Sequence, residues 1–193
     1  MRTPLLTQSD FVGVGQVAKH CDLEKLNQAI LEAEDFDLSN LFCDFWTDIV
    51  QDWIFTEDSG IPDEDWDLLI NGGTFEGCNG KEKRMMGVKK VLVYYAYSRY
   101  IILNGFNDTP SGMVQKTNEF SMPTPLKELQ AYSDKYRNMG LEAYKGVENY
   151  LCLNRDIWIS FQAENCKRCG CNGTCGKGTT NKGFGFKAGN ISK

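Results

Sequence analysis

The segment Gly87–Ser121, GVKKVLVYYAYSRYIILNGFNDTPSGMVQKTNEFS, joins an aromatic, nearly all-round apolar helix to a long polar loop, and it limits the fold more than any other stretch. Val88, Val91, Leu92, Tyr95, Arg99 and Ile102 fall at helical i, i+3, i+4, i+7 spacing. Val93, Tyr94, Tyr97, Tyr100 and Ile101 cover most of the remaining circumference, so the helix is expected to be buried on more than one side. It is not expected to cross a membrane. Lys89, Lys90 and Arg99 lie inside the window, and the run stops at Asn104, short of the ~20 charge-free residues a span needs. Two readings remain: the central helix of a bundle core, or a helix shared between its own core and a neighbouring subunit.

A chain of 193 residues with 41% hydrophobic and 12% aromatic content can bury one sizeable core, so one domain with extensions is expected. MRTPLLTQSDF turns polar after two leucines and lacks the apolar core of a secretory leader, which points to a protein made and kept in a cytoplasm. Eight cysteines in that compartment are expected to be reduced, buried or metal-bound rather than paired. The formal net charge of −5 is unevenly spread: Lys167, Arg168, Lys177, Lys182, Lys187 and Lys193 give the tail +6, leaving −11 on residues 1–164. An acidic body argues against a nucleic-acid-binding surface, which needs clustered Lys and Arg. It suits either ordinary solubility or a surface along which DNA passes without sticking.

The first ~20 residues read as irregular, with Thr3-Pro4, Thr7-Gln8-Ser9-Asp10 and the pair Gly13 and Gly15. Asp22 caps a helix whose stripe is Leu23, Leu26, Ala29 or Ala33, and Ile30, ending near Phe36-Asp37. A second helix runs from about Leu38, burying Leu41, Phe42, Phe45, Trp46, Ile49, Val50, Trp53 and Ile54. After a polar connection, Asp63 starts a short helix through Trp66, Leu68, Leu69 and Ile70, stopped by Asn71-Gly72-Gly73. Residues 74–84 read as a Gly-rich, charged linker into the aromatic helix. Beyond Asn104 a loop or hairpin follows, and Pro123 and Pro125 lead into a long helix from Leu126 toward Leu151. Tyr132, Tyr136, Met139, Ala143, Val147, Tyr150 and Leu151 mark its expected packed face, and residues 155–161 form a short apolar terminal element.

The expected fold is therefore all-α: a helical bundle with a long extended loop or hairpin and a flexible C-terminal arm. Residues 1–21 form an N-terminal extension, 22–162 the bundle with a contact loop at 107–121, and 163–193 a Cys-, Gly- and Lys-rich arm with too little apolar content to fold by burial. A loop of that length without a core of its own is expected to be a contact element. Its interface residues are expected to be Thr109, Pro110, Met113, Val114, Lys116 and Phe120.

No catalytic constellation emerges, and no enzymatic activity is expected. Gly13-Val14-Gly15-Gln16-Val17-Ala18 fits a dinucleotide fingerprint, but the residues before it, Thr7 to Asp10, are not an apolar strand. His20 is the single histidine, which excludes paired-His metal sites. Asp63, Glu64, Asp65 and Asp67 suit a helix start better than a Ca²⁺ loop. Cys166, Cys169, Cys171 and Cys175 are the chemically pointed cluster: four thiols within ten residues can surround one structural zinc, with Lys167, Arg168 and Lys177 favouring thiolates. A disulfide-prone arm or four free thiols are the alternatives. No other cofactor is required.

In their order, DLSNLFCDFWTDIV, LLINGGTFEG, GVKKVLVYYAYSRYIIL, TPSGMVQKTNEFS and NYLCLN resemble the neck proteins of tailed bacteriophages, in particular the ring or head–tail connector proteins of crAss-like phages. The resemblance covers about residues 7–160, most specifically the aromatic helix and the loop carrying Thr109-Pro110-Ser111-Gly112 and Gln115-Lys116. It implies a structural virion protein of the neck, assembled in the host cytoplasm as a homo-oligomeric ring, a dodecamer. Portal protein and adjoining tail or neck ring proteins would be its partners. Genomic DNA would pass through without sequence-specific binding, and no membrane would be contacted. The competing reading is a zinc- or thiol-dependent nucleic-acid accessory protein that uses the basic Cys-rich tail.

Overall fold

In a computed structural model, the structure describes residues 3–14, 22–59, 64–77, 80–110, 112–115, 123–158 and 160–161. A short 3₁₀ turn, Gln8–Phe11, precedes α1 (Leu23–Glu32), which runs into a π-helical turn, Ala33–Leu38. Then come α2 (Ser39–Phe42), α3 (Phe45–Ser59), α4 (Glu64–Asn71), β1 (Gly73–Glu76) and β2 (Glu82–Met85). The central helix α5 (Gly87–Gly105) is followed at once by β3 (Phe106–Thr109), β4 (Gly112–Gln115) and the long helix α6 (Leu126–Leu153).

Helix α5 is enclosed by α6, α1 and α4, and Val88, Val91, Leu92, Val93 and Ala96 are fully buried on different sides of it. Each buried Val or Leu contributes about 1.5–3 kcal/mol relative to exposure, so this helix carries much of the core energy. Two small-residue contacts let α6 approach closely. A Cβ added at Gly140 would sit 2.9 Å from the Tyr95 ring. About two turns toward the start of α6, the Ser133 hydroxyl lies 3.0 Å from the Ser98 hydroxyl and donates to the Ser98 carbonyl at 3.0 Å. No helix among the described residues is long and apolar enough to cross a membrane.

The all-α expectation is overturned. The fold is mixed α/β, with two antiparallel two-stranded sheets, β1–β2 and β3–β4, set against the helices. Residues 74–84, read as a linker, form the first: Gly73 pairs with Met85, Thr74 with Arg84, Phe75 with Lys83 and Glu76 with Glu82. Each strand spans four residues and buries one large side chain, Phe75 or Met85, too short an alternation to stand out from the flanking charges and glycines. The second sheet is a hairpin at the start of the expected contact loop, with Phe106 opposite Gln115 and Thr109 opposite Gly112.

Other differences have local causes. Asp22 does cap α1, accepting from the Lys25 amide at 3.3 Å, but Leu23, expected on its buried stripe, is exposed. The helix expected from Leu38 onward is broken at Cys43, whose φ of 51° ends α2 and turns the chain into α3. On α6 the expected Ala143, Val147, Tyr150 and Leu151 are buried, joined by Ser133, Gly140, Tyr144, Glu148 and Cys152, whereas Tyr132 and Met139 face outward. Polar Ser133 and bare Gly140 occupy the contact with α5, so apolarity alone misplaces the stripe. The N-terminal segment is tied down: Leu6 and Phe11 are buried, the Leu5 amide donates to buried Glu34 at 2.9 Å, and Lys89 pairs with Asp10 at 2.8 Å.

Candidate interface at the hairpin end of the bundle

The β3–β4 hairpin starts at the residue after α5, so its position is set by the buried helix rather than by a linker. Three bonds fix it. Lys25 Nζ donates to the Phe106 carbonyl and, at 3.0 Å, to Asn107 Oδ1, pinning β3 to the start of α1. Gln115 Nε2 donates to the Thr124 carbonyl, pinning β4 to the approach of α6. Thr109 Oγ1 donates across the turn to the Gly112 carbonyl at 2.6 Å.

These bonds hold the backbone and leave the apolar side chains outside. Gly112, Met113 and Val114 are all exposed, Met113 at 70% and Val114 at 45%, so successive residues of β4 fail to hide either face of the strand. Leu23 at the start of α1 and Leu126 at the start of α6 are also more than half exposed. Lys25 and Thr124, which bond to the hairpin, are their near neighbours in sequence, so all four side chains belong to one end of the bundle. A two-stranded hairpin is marginal on its own, and exposed apolar groups on it are suited to a contact with another protein surface.

Of the expected interface residues, Thr109 is half-buried while Pro110, Met113 and Val114 are exposed. Lys116 and Phe120 lie outside the described residues, as do Cys166, Cys169, Cys171 and Cys175 with the rest of the arm. Among the described residues no group of three or more His, Cys, Asp or Glu could hold a metal ion.

A second polar constellation lies at mid-height of the bundle. Arg99 on α5 donates from Nε to Asp37 Oδ2 at 2.6 Å and from Nη1 to Glu32 Oε2 at 3.3 Å. Arg137 on α6 reaches Asp37 Oδ1 at 3.4 Å, and its guanidinium lies over the Tyr95 ring at 5.9 Å. The π-helical turn directs Asp37 inward to this cluster, and Glu34, three residues earlier, inward to the Leu5 amide. Burial acts to lower the Arg99 pKa, but the bonds and charges of Asp37 and Glu32 outweigh it and push it above its ordinary value. Sequence spacing placed Arg99 on the apolar stripe without a partner, because Asp37 is 62 residues away. The available signal was a cation, Arg99, in the middle of an apolar stretch from Val91 to Leu103.

The family described as "Family of unknown function (DUF6712)" matches residues 55–170, well over half of the chain. That span begins in α3 and includes both hairpins, α5 and α6. No curated protein and no solved structure matches the chain.

Proposed function

The chain belongs to the DUF6712 family, and we propose that it is a structural subunit of a tailed-phage neck, forming a ring between the portal and the tail. The resemblance of the aromatic helix and its following loop to crAss-like ring proteins supplies the reading. The observation that carries it is the β3–β4 hairpin, which shows Met113 and Val114 to solvent while growing directly out of the most buried helix. A protomer of a closed ring needs a rigid body and a projecting element that meets a different surface on the next copy, since ring contacts are heterologous. Helix α5 and the hairpin supply those two parts. In this reading the protein has no catalytic role, and DNA passes along an acidic body without being gripped.

Mass spectrometric counting of the chain in purified particles tests the proposal. A fixed copy number close to that of the portal protein is the expected result. Absence from particles, or a place in the outer capsid or the host-recognition fibres, overturns it.

A further inference from the structure

Where α4 gives way to β1, an open cleft of about 610 Å³ lies between Asn71, Arg84, Met86, Lys90 and Tyr94. Two features make it a receptor for negative charge. Arg84 and Lys90 both line it, and neither takes part in an ion pair among the described residues; Lys90 lies 5.8 Å from the centre of the Tyr94 ring, within cation–π range. The cleft also belongs to a local reversal of charge: positions 81 to 90 carry Lys81, Lys83, Arg84, Lys89 and Lys90 against a single acidic residue, Glu82, and of these cations Lys89 is already paired with Asp10.

The complementary surface is on the same chain. From Asp22 to Glu76 there are sixteen carboxylates and one cation, Lys25. Asp44 and Asp48, at the turn before α3 and in its first turn, are exposed and make no ion pair among the described residues. Asp67 and Glu64 are poorer candidates, because they sit on α4, whose last residue lines the cleft itself, and Asp67 already accepts from Asn71 at 2.7 Å.

We infer that this cleft binds a second copy of the chain, Arg84 and Lys90 receiving the Asp44 and Asp48 carboxylates of the neighbour. The inference deepens the ring reading and rests on it for the repetition of one contact around a closed set of copies. Patch and counter-patch differ, so the contact is head-to-tail, and opposite charges give it register as well as attraction.

The test is a charge swap read by sedimentation equilibrium in about 0.02 M and about 0.5 M salt, a range over which surface charges go from long-range to screened. The unmodified chain should self-associate, more weakly in high salt. R84E/K90E and D44K/D48K should each lower the association constant by about tenfold or more, with far-UV circular dichroism unchanged. Mixed one to one they should recover it, because each copy then offers the other an opposite charge. A chain that stays monomeric at every concentration, variants that associate like the parent, or a mixture without recovery overturns the inference. So does loss in D44K/D48K alone, which would assign the acidic face to the Lys-rich tail, or an R84E/K90E effect confined to duplex DNA binding. Copy number in particles is read independently, so the neck reading can stand where this contact falls.

Discussion

Arg99 and Asp37 are joined by a 2.6 Å bond between the middle of α5 and the π-helical turn after α1, and Asp37 is nearly sealed from solvent with its side chain 4% exposed. The pair ties the N-terminal helical layer to the central helix at a point where apolar packing alone would not specify register. Asp37→Ala leaves a largely buried guanidinium with Glu32 as its remaining counter-ion, and a loss of about 3 kcal/mol is expected in urea unfolding. Arg99→Met combined with Asp37→Leu should cost clearly less than the two single changes added together. Additive losses would show that the two groups act separately.

The N-terminal segment should be acid-sensitive. Burial acts to raise the Asp10 carboxyl, but the Lys89 pair and the Thr7 amide and hydroxyl bonds together hold it below 3.8. A depressed carboxylate contributes stability that is fully present above its unfolded value and lost as pH falls through the folded one. The Gln8–Phe11 turn is therefore expected to release below pH 3.8, exposing Phe11, while Asp10→Asn should remove that acid step. Hydrogen exchange of residues 3–14 across pH 2 to 6, on the order of the carboxylate titration range, measures it. Equal pH profiles for parent and variant would assign the acid response to other carboxylates.

Gly87 cannot carry a side chain. Its φ is +76°, and a Cβ there would lie 2.4 Å from the Gly72 nitrogen, so α4 and α5 meet backbone to backbone. Gly87→Ala should destabilise by about 2–3 kcal/mol. Gly146→Ala is the internal contrast: it lies within α6, and its nearest neighbour, Met85 Cβ, is 3.7 Å away, an ordinary contact. That change should stabilise by about 0.5–1 kcal/mol through helix propensity. Thermal unfolding of the two variants side by side decides it.

Met113→Ser with Val114→Ser should leave the monomer's stability within about 0.5 kcal/mol, since both side chains are already in water. The same double change should block ring closure and yield tailless, DNA-leaking heads in a complementation assay. Unfolding of the variant monomer would place the hairpin in the subunit's own core, and normal infectious particles would remove it from the interface.

For the tail, the zinc expectation gives one metal per chain at Cys166, Cys169, Cys171 and Cys175, measured by elemental analysis after reducing purification without chelator. Chelation should leave the unfolding of the bundle unchanged, because its buried residues run only from Leu6 to Phe161 among those described. A metal content near zero with four freely titrating thiols removes the site.

Legibility in the sequence followed the length over which one physical rule acts. Helix α5 was readable because its apolar positions persist for four turns, and the start of α1 because Asp22 precedes a clear stripe. The β1–β2 hairpin was not, since one buried residue per strand is no periodicity. Nor was the break at Cys43, where nothing in the residue type requires a positive φ. The hairpin end of the candidate interface could be located by Met113 and Val114 amid turn residues, but their exposure depends on how Lys25 and Gln115 hold the strands. Arg84 and Lys90 come together only once β2 folds back onto the start of α5.

Gly105 ends α5 and Phe106 begins β3 with no residue between them. Under the proposed ring role, a tug on the hairpin would meet no slack before it reached the helix whose Val88, Val91 and Leu92 are sealed in the core. Force arriving at one subunit's edge would travel along the helix as a strut, and would emerge beside the Gly72–Gly87 joint at its far end.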